Sequence, residues 1–456
     1  MNRRSFIGLG GGVISTGIAS RGGLPVALAQ GVARPTAGPR RGLNAGLQAQ
    51  APPLDWAARI SSLPRPSDGE VVIAAVGDLI QSSPAADRPG AEVQQMYRVL
   101  READVGFGNC EETIASIGFY GQRVAYPSML DDFKASGLNT LALSNNHFMD
   151  MGPAPALQGL DELRKRGFTV AGAGANLDAA LTPGIRTVKG VRIGLLAFWC
   201  APINFGTPAF MEQSRAGANK PGQAMIVGYQ VVAPGSPAPQ LLPLASDMKA
   251  LTESVARARS QVDFLMVSFH QHWGVAEGGG QGIIPPQEQP RRTTVVPADL
   301  RAARNEVSEG RRLILRTAVD AGADLVVGHG PHILNGIEIY RGKPIVYSIG
   351  HFYNEGMKDG KALPQFLFSP SMVTQIENGW WLEEQRWSAI ARIFVRNGRV
   401  SRLDLVPITM DIQKDGLPNL PGDAVCRQIV NAVQELSKPF GTEVRSRGWY
   451  AEVALS

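Results

Sequence analysis

Cysteine is scarce in this sequence. The 456 residues include three cysteines, Cys110, Cys200 and Cys426, which are widely separated and odd in number. This pattern disfavours a disulfide framework and leaves either a single bridge or, as we expect, three buried small side chains. The sequence also has no G-x-S-x-G motif, which excludes the nucleophile elbow of the α/β-hydrolases.

Charge is limited as well, at 19% of residues, and the formal net charge of +5 is concentrated at one end of the chain. Arg3, Arg4 and Arg21 carry three of the positive charges, and residues 30–69 carry a net three more. The remaining body therefore has a net charge of about −1. Because nucleic-acid binding needs a basic surface, we do not expect a nucleic acid as partner.

The first 29 residues have the order of a secretory signal. Asn2 to Ile7 (NRRSFI) opens a Gly-rich apolar run through Ala19, and Ala27-Leu28-Ala29 provides a small-x-small cleavage site. The paired arginines resemble the twin-arginine class, which predicts an exported, periplasmic protein. The run is too short for a membrane span, so none is expected in the mature protein. The alternative is an uncleaved, disordered or anchoring N-terminus.

Polar residues follow several predicted strands at the point where each strand ends. The strands are short apolar runs bounded by turn residues, and helical segments alternate with them. The polar residues are Asp78; Asn109 and Glu111; Asn146, His147 and Asp150; His270, His272 and Glu277; His329 and His332; and His351. For Asp78 alone a turn or helix-cap role is the simpler explanation, and an Asn can also cap a helix.

All six histidines of the chain fall in four short windows at these strand ends. Alternating strands and helices predict a largely parallel sheet, whose carboxyl ends meet at one edge. We therefore expect one shared polar site, against the alternative of coincidence. Asp, Asn, Glu and His side chains suit one or two divalent ions such as Zn, Mn or Fe.

The remaining segments are assigned by composition. Residues 30–69 are rich in Pro, Gly, Ala and Arg and predict a flexible linker before a domain at 70–410. Residues 202–243 and 278–297 are predicted to be inserted loops, and Asn397-Gly398 predicts a hairpin at the edge of a second sheet. Residues 411–456 are expected to form a C-terminal extension with a helix from Asp423 to Leu436.

At the strand ends the sequence resembles the CapA family of poly-γ-glutamate and capsule synthesis proteins, whose fold is akin to the calcineurin-like metallophosphoesterases. The resemblance spans residues 70–408, and its matching segments are Gly77-Asp78; Asn109-Cys110-Glu111; Ser144-Asn145-Asn146-His147 with Asp150 and Gly152; His272-Trp273-Gly274 with Glu277; and Gly328-His329-Gly330-Pro331-His332 through Gly350. It implies an α/β fold, namely a two-sheet sandwich flanked by helices in four layers (αββα).

The resemblance also implies roles by position. The implied metal ligands are Asp78, Glu111, Asn146, His270 or His272, His329 and His332. His147 would protonate a leaving group, with Asp150 in the same motif, while Asn109, Glu277 and His351 would have secondary roles. The implied function is a metal-dependent hydrolase that acts on a phosphoester or on bonds of an anionic surface polymer, alongside capsule or poly-γ-glutamate machinery. The alternative is a non-catalytic factor that binds or exports the polymer.

Three positions depart from the family pattern. Ile80 replaces the histidine of the metallophosphoesterase Asp-x-His opening, which predicts a weakened or missing second ion. Gly330 stands where the family has a second histidine after Gly328-His329. His351 stands where the family has an asparagine, either as a new ligand or as a hydrogen-bonding replacement.

Overall fold

The computed structural model describes residues 54–81, 84–115, 124–203, 208–231, 240–271, 307–354, 386–410 and 416–456. Its helices are α1 (Trp56–Ser61), α2 (Ala91–Arg101), α3 (Met129–Ser136), α4 (Pro153–Lys165), α5 (Leu177–Ala180), α6 (Pro208–Ser214), α7 (Ala245–Arg259), α8 (Glu309–Asp320), α9 (Asp423–Ser437) and a 3₁₀ turn (Lys438–Phe440). No helix in these ranges is both long and apolar enough to cross a membrane.

The strands fall into two large sheets and two small ones. They are β1 (Val71–Ile80), β2 (Val105–Cys110), β3 (Thr113–Ile114), β4 (Val124–Ala125), β5 (Thr140–Ala142), β6 (Thr169–Ala171), β7 (Ala173–Gly174), β8 (Gly184–Val188), β9 (Val191–Pro202), β10 (Gly222–Gln223), β11 (Met225–Val231), β12 (Gln240–Pro243), β13 (Phe264–Gln271), β14 (Leu325–His329), β15 (Ile337–Tyr340), β16 (Lys343–Val346), β17 (His351–Asn354), β18 (Trp387–Arg396), β19 (Arg399–Met410), β20 (Pro418–Asn419), β21 (Val444–Ser446) and β22 (Ala451–Val453).

The first large sheet has the order β21-β22-β19-β18-β1-β2-β5-β6, with β17 paired to β1 and β20 to β19. Strands β1, β2, β5 and β6 run parallel, as the alternation of strands and helices predicts. The hairpin at Asn397-Gly398 is present, but its strands β18 and β19 continue this first sheet through an antiparallel pairing with β1. The expectation that they edge a second sheet was therefore wrong.

The second large sheet has the order β12-β11-β9-β13-β14-β16-β15, with β8 paired to β9. Its central strands β9, β13, β14 and β16 are parallel. Because both large sheets have a parallel centre, both present the carboxyl ends of strands at one edge, where ligands bind in α/β proteins.

The alternation of side chains along the strands divides the core into three layers. One layer lies between the sheets and contains Ile73 of β1 and Met266 of β13. A second lies between the first sheet and helices α1 to α4, and a third lies between the second sheet and helices α5, α7 and α8. The four-layer αββα sandwich is therefore confirmed. Its cysteines are buried and free, also as expected.

Three segments are more ordered than their composition predicts. The segment 202–243 is not simply a loop, because it contains α6, β10, β11 and β12. The end of the predicted linker forms α1, whose Trp56 and Ile60 are buried. The expected C-terminal helix spans Asp423–Ser437, but β20, β21 and β22 around it join the first sheet. The predicted loop 278–297 lies outside the described residues.

Candidate metal centre

Three polar side chains enter the layer between the sheets because of strand alternation. In β2, Val105 and Phe107 pack in this layer, so Asn109, two positions further on, shares their face. By the same alternation, His270 shares the face of Met266 in β13, and His329 shares the face of Val327 in β14. All three side chains are fully buried. The inter-sheet layer is thus apolar through most of its depth and polar at the carboxyl ends.

Asp78 reaches the same layer only because β1 is irregular. Val71, Ile73 and Ala75 face the inter-sheet layer, whereas Ala74, Val76 and Leu79 face the helices. Val76 and Leu79 share a face although they are three residues apart, so the alternation breaks between them. The pairing registers of β1 with β2 and β17 shift at this point, as in a β-bulge. The bulge turns Asp78 toward His270 and His329, in keeping with the occurrence of bulges beside functional sites.

The carboxylate of Asp78 lies in the middle of the centre and contacts three histidines. Its Oδ1 lies 3.3 Å from Nδ1 of His329 and 3.5 Å from Nδ1 of His270. Its Oδ2 lies 3.0 Å from Nδ1 of His332 and accepts a hydrogen bond of 3.0 Å from the backbone N–H of Gly330. Burial raises the pKa of this carboxyl, but its contacts with the three histidines outweigh burial and hold the pKa well below its usual range. Asp78 is therefore ionised.

His270 presents a lone pair to this carboxylate. Its Nε2 lies 2.7 Å from Asn146 Oδ1, and since a carbonyl oxygen can only accept, Nε2 carries the proton. Complete burial lowers the pKa of His270 to about 3, so the ring is neutral and Nδ1 carries a lone pair. Nδ1 of His270 and Nδ1 of His329 are 3.0 Å apart. This convergence of imidazole and carboxylate ligand atoms fits a borderline divalent cation.

A second group of ligand atoms shares Asp78 with the first. Glu111 lies one residue beyond β2, and its Oε1 is 3.8 Å from Nε2 of His332. His332 has a positive φ of 56°, a conformation that non-glycine residues rarely adopt and that recurs at functional sites. Ligand atoms of Asp78, Glu111 and His332 lie within 4.8 Å of one another, as do those of Asp78, His270 and His329. Two groups of ligand atoms that could each hold a cation therefore share one carboxylate.

Two asparagines fix the carboxylate in place. Asn145 Nδ2 donates to the backbone oxygen of Cys110 at 2.8 Å and to Asn109 Oδ1 at 3.1 Å. Asn109 must then point Nδ2 toward the centre, where it donates to Asp78 Oδ1 at 2.8 Å and lies 3.1 Å from His270 Nδ1. Asn109 therefore orients the centre, and so does Asn145, which the sequence places in the Asn-Asn-His motif without a predicted role.

His147 and Asp150 form a pair beside the second group. Nδ1 of His147 lies 2.8 Å from Asp150 Oδ2, and Nε2 lies 4.0 Å from Glu111 Oε1. The carboxylate of Asp150 thus orients the ring so that Nε2 points at the centre, the arrangement that a proton donor requires. The side chains of His147 and His332 are 16% and 18% exposed, whereas Asp78 and Glu111 are fully buried. Among these four side chains, His147 and His332 are therefore the more exposed ones.

Both ring nitrogens of His351 contact the protein. Nε2 donates to the backbone oxygen of His332 at 2.9 Å, and Asn354 Nδ2 donates to Nδ1 at 2.8 Å. This geometry favours the hydrogen-bonding alternative for His351 over the ligand alternative, since the ring supports the backbone that carries His332. Similarly, Ser268 Oγ lies 2.6 Å from Nε2 of His329 and holds that ring with Nδ1 toward Asp78.

Gly330 occupies a position where no side chain fits. Its φ is +105°, and a Cβ atom there would lie 2.7 Å from the backbone nitrogen of Gln271 and 2.8 Å from its oxygen. Its N–H meanwhile donates to Asp78. The departure from the family pattern at Gly330 is therefore a requirement of this backbone. Ile80 is buried at the end of β1 and offers no ligand atom.

Of the residues predicted from sequence, the structure brings together Asp78, Asn109, Glu111, Asn146, His147, Asp150, His270, His329, His332 and His351. His272 and Glu277 lie outside the described residues. Among the candidates for the β13 ligand, His270 is in the centre. Ser268 was missed, although the alternation of β13 would have placed it on the face of His270. Asn145 belongs to a predicted motif, but its role was not predicted.

Together, the sandwich and the carboxylate shared by two ligand groups define a protein with a metallophosphatase-like fold. Comparison with known sequences gives the family. Residues 72–289 and 300–356, more than half of the chain, match the family described as "Bacterial capsule synthesis protein PGA_cap". The chain belongs to this family, the CapA family that the strand-end motifs resembled.

Several curated proteins are similar to this chain. An uncharacterized protein of Sinorhizobium fredii is 26% identical, over 83% of this chain and 91% of its own length. A PGA biosynthesis protein CapA of Bacillus subtilis is 24% identical, over 77% and 76% respectively. A probable polyglutamine synthesis accessory protein of Mycobacterium tuberculosis is 30% identical over 54% of each chain.

Proposed function

We propose that this protein is an exported, metal-dependent hydrolase that acts on a phosphoester or on bonds of an anionic surface polymer. The observation that carries the proposal is the buried Asp78 carboxylate, shared between the group with His270 and His329 and the group with Glu111 and His332. Two cations bridged in this way are typical of enzymes that displace a leaving group from phosphorus or carbon.

The chain's own residues would divide the work in the following way. Bound cations would supply Lewis acidity and lower the pKa of water. Asp78 is ionised and His270 is neutral, so both are in the state that a cation requires. Asn109 fixes the orientation of the Asp78 carboxylate through a hydrogen bond to Oδ1. His147, held by Asp150, directs Nε2 toward the centre and would deliver a proton to the departing oxygen or nitrogen.

The family supports the polymer as the setting of the reaction. The similar proteins of Bacillus subtilis and Mycobacterium tuberculosis are named for PGA biosynthesis and polyglutamine synthesis. Carbonyl and phosphoryl oxygens both gain negative charge during hydrolysis, so the same centre suits either bond.

Elemental analysis of the purified protein, combined with hydrolysis assays, tests the proposal. We expect bound divalent metal and activity that chelation removes and one added metal restores. The substrates are bis(p-nitrophenyl) phosphate and poly-γ-glutamate. Asp78→Asn should lose metal and activity, and His147→Ala should keep metal and lose roughly a hundredfold in kcat. A metal-free protein, with full activity in a His147→Ala, His332→Ala double variant, would refute the proposal.

A second candidate function is a factor that binds or exports the polymer without cleaving it. Ile80 favours this candidate, because a buried isoleucine offers no ligand at the end of β1. The factor would bind poly-γ-glutamate with an affinity that does not depend on Asp78 and would leave the chain length of the polymer unchanged. Metal-dependent shortening of the polymer by the wild type rules it out.

Export has a separate test. The twin-arginine hypothesis predicts that an Arg3→Lys, Arg4→Lys variant accumulates in the cytoplasm with its signal uncleaved. Fractionation with detection of the mature N-terminus measures this. Normal processing of the variant would show that another route, or none, is used.

A further inference from the structure

We propose that Gln223 is a positioning residue for the proton donor pair His147 and Asp150, and that the segment from Pro208 to Ala224 supports the loop that carries the pair. This inference rests on the proposed function. It concerns a segment whose composition predicts a loop, and a side chain that no sequence motif singled out.

The segment makes three hydrogen bonds to the loop after β5. Asn145 N–H donates to Gln223 Oε1 at 2.7 Å, and Ser144 Oγ donates to the backbone oxygen of Ala224 at 2.6 Å. Gln213 Nε2, on α6, donates to the backbone oxygen of Met149 at 3.1 Å. The loop is thus held at its start and also between His147 and Asp150.

Asn145 transmits the position of Gln223 to His147. Its Oδ1 accepts the backbone N–H groups of His147 at 3.1 Å and of Phe148 at 2.9 Å. Its Nδ2 is tied to Asn109 and to the backbone of Cys110. The hydrogen bond from the Asn145 N–H to Gln223 therefore fixes the backbone of Asn145, and the side chain of Asn145 in turn holds the backbone of His147.

Gln223 is anchored firmly enough to act as a support. It is fully buried, and its strand β10 pairs with β7 through Gln223 and Ala173. The backbone N–H of Ala224 donates to the oxygen of Gly172 at 2.8 Å. Among the described residues, Gln223 Nε2 has no hydrogen-bond partner. An unsatisfied buried donor is costly, so an apolar side chain would suit this position better if it served only packing.

The test compares Gln223→Met, which keeps the length of the side chain and loses the acceptor, with Gln223→Glu, which keeps an acceptor. Gln434→Met is the matched control, since Gln434 donates to the backbone of Val444, near the C-terminus. The first measurement is hydrogen exchange in the peptide spanning residues 140–152 of the metal-free protein. We expect the Asn145 amide to exchange roughly tenfold faster in Gln223→Met and unchanged in Gln434→Met.

The second measurement is hydrolysis of phenyl phosphate and p-nitrophenyl phosphate by the manganese-loaded protein. Phenolate is the poorer leaving group and depends more on protonation. Gln223→Met should therefore lose about ten- to a hundredfold in kcat with phenyl phosphate and much less with p-nitrophenyl phosphate, at unchanged KM and metal content. Gln223→Glu should recover part of this loss.

The outcomes separate the two proposals. A wild-type protein without metal-dependent hydrolysis overturns the proposed function and the catalytic role of Gln223 with it. An active protein in which Gln223→Met has normal exchange, or loses both substrates equally, overturns the positioning role alone.

Discussion

Replacing Gly330 with alanine should damage the centre without removing a single ligand. At φ +105° an alanine is strained by about 1–2 kcal/mol. Its Cβ would also lie 2.7 Å from the backbone nitrogen of Gln271, a distance shorter than Cβ atoms show in real structures. Because the neighbour is a backbone atom, a side-chain rotation cannot relieve the overlap. Relieving the overlap should cost about 1–3 kcal/mol more. We therefore expect Gly330→Ala to lose about 3 kcal/mol of unfolding free energy.

The chain offers a matched control for this substitution. Gly342 has a similar positive φ of +72°, but a Cβ there would meet nothing within 4 Å. Gly342→Ala should therefore cost only the strain, about 1 kcal/mol. Urea unfolding of the metal-free proteins measures both variants. In addition, Gly330→Ala should bind metal more weakly than the wild type, because Gly330 N–H orients Asp78.

The comparison of the two variants separates the steric cost at Gly330 from the cost of a positive φ. Equal losses of unfolding free energy in Gly330→Ala and Gly342→Ala would refute the steric reasoning. Unchanged metal affinity in Gly330→Ala would show that the backbone hydrogen bond to Asp78 contributes little.

Three further predictions address the ligands. Burial lowers the pKa of His270 to about 3 from its ordinary value of 6.5, so below pH 6.5 the unfolded chain binds a proton that the folded chain excludes. The unfolding free energy of the metal-free protein should fall with decreasing pH by about 1.4 kcal/mol per unit from pH 6 to 4, and His270→Asn should flatten this slope. Chelation should lower the melting temperature of the wild type but leave that of Asp78→Asn unchanged, because a ligand stabilises only the state that binds it. His351→Asn should keep the metal content of the wild type, whereas His332→Asn should reduce it, because His351 donates to a backbone oxygen and His332 faces two carboxylates.

Alternation along strands made part of the centre predictable. His270 lies four positions after Met266, and His329 lies two positions after Val327, so each histidine shares a face with an apolar residue of the inter-sheet layer. Their convergence could therefore be inferred once two parallel sheets were assumed. The same count would have turned Asp78 toward the helices. The bulge that reverses it depends on the change of pairing partner from β18 to β17, which is a long-range property of the sheet.

Composition was a poorer guide to the segment 202–243. Its Gly, Pro, Ala and Asn content is typical of loops, yet β11 pairs with β9 in the second sheet. Short strands here are stabilised by partners distant in sequence, so local propensity carries little information about them. For the same reason the contact between Gln223 and Asn145, 78 residues apart, could not be predicted.

The bulge in β1 makes the chemistry of this edge depend on a single backbone residue. Were β1 regular, Leu79 would face His270 and His329, and Asp78 would be buried against the helices. A deletion or insertion of one residue just before Asp78 would therefore act as a switch, leaving the first half of the strand and its pairing with β18 unchanged while replacing an anion by a hydrocarbon. Ala75 is the last residue of β1 that pairs with β18. A search for related centres, or a design built on this sandwich, therefore has to count the spacing to the aspartate from this residue rather than from the start of the strand.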